Sequence, residues 1–280
     1  MTKLVADQAD GLRRLLTHTP RRIIAVASTG RGDGATTAVM NLGAALVHQG
    51  MEVLLLDEHR PTAESICAVW GIDPWGSLAD VADQRLTYEG AIARAACGIS
   101  VLPAPPGVSH AGIDPRSLCH DSVVLIDAVF DSEGRLSALA QLADELVLVL
   151  QPNPASITSA YAGIKRLHYA HALDQLRFLV NGVADTNEAQ RIMTNLASTG
   201  SRYLAVSLEP AGWVRADPHL ADARRLSQTV VEAFAASPAA MDFRRIAADM
   251  GRWPWRPPAR LARPGATPGQ RIAIRSSCVA

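Results

Sequence analysis

One stretch near the start of the 280-residue chain constrains its fold more than any other. Arg22-Ile-Ile-Ala-Val-Ala-Ser28 is a continuous apolar run of strand length. Thr29–Gly34 is a turn with glycine at every second position, and a helical apolar pattern runs from Thr36 to about Gln49, with Gly50 where a C-cap belongs. The alternation then continues. Glu52–Asp57, Ser122–Asp127, Glu145–Leu150 and Leu176–Asn181 read as strands, with Tyr203–Leu208 as a further one, and Ala155 to about His171 reads as a helix. Apolar strands that lack polar alternation are buried on both faces. The expected fold class is therefore α/β: a mostly parallel sheet with helices on both faces. Ligands of such sheets bind at the carboxyl edge, where the glycine turn and the strand-ending acids Asp57 and Asp127 would meet.

Composition narrows the function classes. The chain is 48% hydrophobic and 19% charged, so it can build a core. Its 27 basic residues balance its 27 acidic ones, which argues against a strongly basic nucleic-acid binder; no specific nucleic-acid partner is expected. Lys3 and Lys165 are the only lysines. Cys67, Cys97, Cys119 and Cys278 are scattered without metal-ligand spacing and read as reduced thiols. Asp7 and Asp10 near the start argue against a signal peptide, and no apolar run reaches the roughly 20 residues of a membrane span. A cytoplasmic protein is expected.

The two ends differ from the middle. Met1–His18 has the spacing of a short amphipathic helix, and residues 1–20 are set apart from a domain spanning 21–240. In the last part, 241–280, a helix over Asp242–Arg252 would line up Phe243, Ile246, Met250 and Trp253, with Trp255 just beyond. Such a stripe suits reversible attachment to a membrane surface, and equally a final helix packed on the sheet. Beyond Asp249 there are no acids but six arginines, with prolines between them, as in a flexible basic tail.

The glycine turn has the layout of a phosphate-binding loop, in which backbone N–H groups and a helix N-terminus gather around an anion. In that register the first glycine is Thr29 and the lysine is Ala35, while Thr36 stands where a hydroxyl would meet Mg²⁺. Asp33 puts a negative charge into a cradle built for anions.

With these segments in view, the chain resembles the deviant-Walker ATPases of the MinD/ParA type, whose loop reads K-G-G-x-G-K-T-T. More narrowly it resembles their flagellar-number regulators, the FlhG/FleN/YlxH type. Asp7-Gln8-Ala9-Asp10-Gly11-Leu12-Arg13 matches the N-terminal D-Q-A-x-x-L-R motif of that type; Gly32–Thr37 through Gly43 follows the loop and first helix. Gln151–Pro154 with Ala155–Lys165, then Asp217-Pro218 and Ser237–Ala247, follow later segments.

The resemblance implies ATP and Mg²⁺ as cofactors, held by Arg31, Gly32, Gly34, Thr36, Thr37 and Asn181 for the nucleotide and by Thr36, Asp57 and Asp127 for the metal. It also implies that Asp7, Gln8, Ala9, Leu12 and Arg13 stimulate an SRP-type partner GTPase of the FlhF kind. Further implied partners are flagellar switch proteins, a flagellar transcription factor, the membrane surface and a second copy in a nucleotide-dependent homodimer. The implied location is cytoplasmic, at the inner face of the cytoplasmic membrane or a cell pole.

The departures matter as much. The family's two loop lysines fall on Gly30 and Ala35, the second acid of its D-x-D motif is His59, and the D-x-x-x-G segment reads Asp127-Ala-Val-Phe-Asp131. These changes imply slow or absent ATP hydrolysis, with Asp57 and Asp127 as residual acids. An active ATPase that dimerises on ATP, or a nonenzymatic adaptor, are the competing expectations.

Overall fold

The computed structural model describes residues 22–63, 65–106, 113–118, 122–199 and 206–254. The D-Q-A-x-x-L-R motif, with Asp7, Gln8, Ala9, Leu12 and Arg13, lies outside these residues, as do Trp255 and the basic tail.

Strand β1 (Ile23–Ser28) leads through the glycine loop into α1 (Ala35–His48), and β2 (Glu52–Asp57) follows. Three short helices, α2 (Ile66–Trp70), α3 (Leu78–Ala82) and α4 (Tyr88–Ala91), precede β3 (Ala93–Arg94) and β4 (Ser100–Pro103). Then come β5 (Ser122–Asp127), β6 (Glu145–Leu150), α5 (Pro154–His171), β7 (Gln175–Val183), α6 (Thr186–Thr199) and β8 (Ser207–Arg215). Helices α7 (His219–Arg225), α8 (Val230–Ala233) and α9 (Pro238–Met250) close the described chain. The strands form one eight-stranded sheet in the order β3-β4-β2-β5-β1-β6-β7-β8. Every neighbouring pair is parallel except β3 with β4.

The expected α/β architecture is present. Its physical cause is visible in the central strands: β1, β2 and β6 are buried on both faces, and the side chains alternate between two apolar clusters, one on each side of the sheet. Parallel pairing aligns strand ends, so register alone brings Asp57 beside Asp127. That fixes where the chemistry can be.

The last strand differs from the expected Tyr203–Leu208. It runs Ser207–Arg215 and carries Pro210 and Gly212, which disguise it as a turn. Proline is tolerated because β8 is an edge strand paired only with β7, and the pairing shifts register at Phe178/Leu179 and again at Asn181/Val183.

The apolar stripe of the final helix is corrected by its packing. The helix α9 starts earlier than expected, with Ser237 accepting from Ala240 N–H and Pro238 in its first turn. Phe243, Ile246, Met250 and Trp253 belong to the core cluster formed with α1 and β8, and Phe243 is 0% exposed. They are therefore not a membrane contact. Two arginines hold the end of this helix in place. Arg22, just before β1, donates to the carbonyls of Met250 and Trp253, while the Arg177 guanidinium lies 4.4 Å from the Trp253 ring centre. Arg177 is itself paired with Glu145 at 3.2 Å and Glu209 at 2.8 Å. The domain thus runs through Trp253 and does not end at 240. Among the described residues no helix is long and apolar enough to cross a membrane.

Truncating a fully buried phenylalanine costs about 3–5 kcal/mol. Phe243→Ala is expected to lower the unfolding free energy by that amount in urea titrations. A loss below 1 kcal/mol would mean that α9 is not part of the core.

Candidate functional site

The glycine loop emerges from the carboxyl end of β1 and turns into α1 at Gly34. That residue has φ +94°, a left-handed conformation suited to glycine, and a Cβ there would lie 2.4 Å from Asn181 Nδ2. No side chain caps the first turn of α1. Its leading amides therefore have the orientation that favours anions.

The loop is tied down from outside by side chains of later elements. Gln151 donates to Gly32 O at 2.8 Å, Ser159 to Thr29 O at 3.1 Å and Asn181 to Asp33 O at 2.9 Å. Asp33 supplies the internal tie. Only 4% exposed, it accepts from Gly30 N–H at 3.1 Å through one carboxylate oxygen and from Ser156 Oγ at 2.8 Å through the other. Burial pushes its carboxyl above the usual range, and the Ser156 and Gly30 hydrogen bonds only partly oppose this. A Cβ on Gly30 would lie 2.6 Å from Asp33 Oδ2, so any side chain at that position would have to displace the Asp33 carboxylate.

Beside the loop stand the strand-ending acids. Asp57 accepts from the backbone N–H groups of His59 at 2.9 Å and Ile66 at 3.1 Å. Desolvation and the neighbouring Asp127 charge push its pKa up to about 6. Asp127 is 0% exposed and neither of its oxygens accepts a hydrogen bond; His59 Nε2 faces it at 3.4 Å. Pairing with Asp127 raises the His59 pKa, outweighing partial burial. Glu58 is buried as well. It accepts from Val129 N–H at 3.0 Å and from the Ser137 hydroxyl, and so ties β2 to the segment after β5.

The structure therefore brings Thr36, Asp57, Asp127 and Asn181 to one edge with the loop, while Arg31 and Gly32 are exposed at its tip. Asn181 spends its amide on the loop carbonyl. The sequence alone assigns no site role to Glu58, Gln151, Ser156 or Ser159. Glu58 offered one signal, an acid directly after a strand-ending aspartate; the serines offered only their place in the first turns of a helix.

Two shifts in this cluster have the same sign. Asp57 moves from 3.8 to about 6, so its favourable contribution is complete in acid and is lost as pH rises through 6. His59 moves up from 6.5, so its contribution is present below 6.5 and is lost as pH rises through its folded value. His59→Gln is expected to melt below the wild type at about pH 6, with the gap narrowing as pH rises through the raised His59 pKa. A gap that stays constant across thermal melts in that range would contradict the pairing.

No family model matches the chain. Among curated proteins it is 30% identical over 247 residues to the antiactivator FleN of Pseudomonas aeruginosa, a match covering 84% of this chain and 88% of that protein. Among solved structures it is similar to the cell division protein MinD of Aquifex aeolicus in its complex with MinC, with a TM-score of 0.63 at 21% identity, covering 82% of this chain and 95% of that one. It is also similar to the cell division ATPase MinD of Pyrococcus furiosus, with a TM-score of 0.60 at 22% identity over 82% and 98% of the two chains. These structures establish the fold, and the extended match to FleN establishes the lineage. The chain belongs to the FlhG/FleN type of flagellar-number regulators within the MinD/ParA family of P-loop ATPases.

Proposed function

We propose that the chain regulates flagellar number and placement through protein contacts, stimulating an SRP-type partner GTPase with its N-terminal motif and hydrolysing ATP slowly or not at all. Family membership supports the flagellar role in general. The observation that carries the slow-hydrolysis reading is the state of the loop, where a buried carboxylate stands and both lysines are missing.

ATP–Mg²⁺ is what the fold family implies, and one of its structures, MinD of Pyrococcus horikoshii, is described with Mg-ADP. The residues here fit that group poorly. Asp33 presents an anion within the loop, and among the described residues no basic group pairs with it. Ala35 supplies no ammonium to neutralise transferred phosphoryl charge, and phosphoryl transfer depends on such positioning and neutralisation. The orphaned oxygens of Asp127 would suit a cation, but His59 stands against them.

The activating role rests on residue types. Gln8 can orient a water and Arg13 can meet developing phosphate charge in a composite GTPase site, with Leu12 as an apolar anchor. Asp7 and Ala9 complete the match to the family motif. Contacts with flagellar switch proteins, a flagellar transcription factor, the membrane surface or a second copy are compatible with this reading. The same holds for a location at the inner membrane face or a cell pole.

A peptide of residues 1–18 is expected to raise the partner's GTP turnover roughly tenfold or more, with the gain lost in Gln8→Ala or Arg13→Ala peptides. A wild-type peptide that leaves the rate unchanged would refute the activating role. Appreciable ATP turnover by the full chain would overturn the slow-ATPase reading separately.

A further inference from the structure

Three features of the loop are one arrangement. The Asp33 carboxylate is buried and takes the Gly30 amide at 3.1 Å and the Ser156 hydroxyl at 2.8 Å. The space a Gly30 side chain would need is filled by that same carboxylate, with 2.6 Å between the added Cβ and Oδ2. The loop carbonyls of Thr29, Gly32 and Asp33 receive hydrogen bonds from Ser159, Gln151 and Asn181, side chains drawn from α5, its preceding turn and β7. In a phosphate-binding loop the backbone amides converge on an external anion, which then organises the loop. Here an amide of the loop already has an anion that belongs to the chain.

We propose that Asp33 is the resident anion of this loop: its carboxylate does the organising that a bound phosphate would otherwise do, so the loop holds its shape without nucleotide and disfavours phosphate. The glycine at position 30 and the aspartate at 33 are then a matched pair, since any larger residue at 30 would evict the carboxylate. A phosphate brought to the first turn of α1 would meet the Asp33 charge in a partly buried setting, with no lysine at Ala35 to offset it. The inference concerns the loop alone and stands whether or not the chain activates a partner GTPase.

The test is thermal unfolding of the full chain, wild type beside Asp33→Val and Asp33→Asn, in buffer, in inorganic phosphate and in ATP–Mg²⁺. The wild-type midpoint is expected to be the same in all three. Asp33→Val loses both hydrogen bonds and should melt lower in buffer, by roughly 2–4 °C per bond lost. It should recover part of that loss in phosphate, as an external anion takes the vacated amide. Asp33→Asn keeps the shape without the charge and should fall between the two, so the result does not depend on how well the valine variant folds. A wild-type midpoint that rises in phosphate or ATP–Mg²⁺ as much as the variants do would overturn the proposal. So would variants that melt like the wild type in buffer.

Discussion

A buried carboxylate with no cation beside it among the described residues is costly, and the loop after β1 is built around one. Asp33 is tolerated because it accepts from an amide and a hydroxyl, replacing some of the hydration it gave up. The surrounding geometry follows from that need. Ser156 must stand in the first turn of α5, where Asn153 caps the helix by accepting from Ser156 N–H at 2.9 Å. Gly30 must stay small, and Asn181 must reach across from β7 to hold the Asp33 carbonyl. Residues far apart in sequence are committed to one loop.

The neighbouring acids show the same substitution of internal groups for external ones. Parallel register sets Asp57 against Asp127, and burial together with that neighbouring carboxylate raises the cost of ionising Asp57. A bound cation would relieve that cost. Here His59 lies against Asp127, and Glu58 clamps the segment after β5 through Val129 and Ser137. The loop thus has its own anion, and Asp127 has His59 set against it.

Much of the fold was legible in the sequence because central parallel strands leave an unmistakable apolar run, as in Ile23–Ala27 and Leu146–Leu150. The edges were less legible. The strand β8 contains Pro210 and Gly212, and β4 is four residues long, so neither has a strong local pattern. The α9 stripe is legible as one-sided, but periodicity shows that a face is apolar and not what covers it. At the site, Asp33 was visible as a charge of the wrong sign. Its resolution was not, because Ser156 lies 123 residues further along and only the packing of α5 against the loop brings it near.

Backbone hydrogen exchange over residues 28–37 of the full chain, with and without ATP–Mg²⁺, tests the central claim most directly. A loop organised by its own carboxylate is expected to show slowed exchange at Gly30 in the absence of nucleotide, unchanged when ATP–Mg²⁺ is added. Fast exchange that becomes protected only with nucleotide would contradict it.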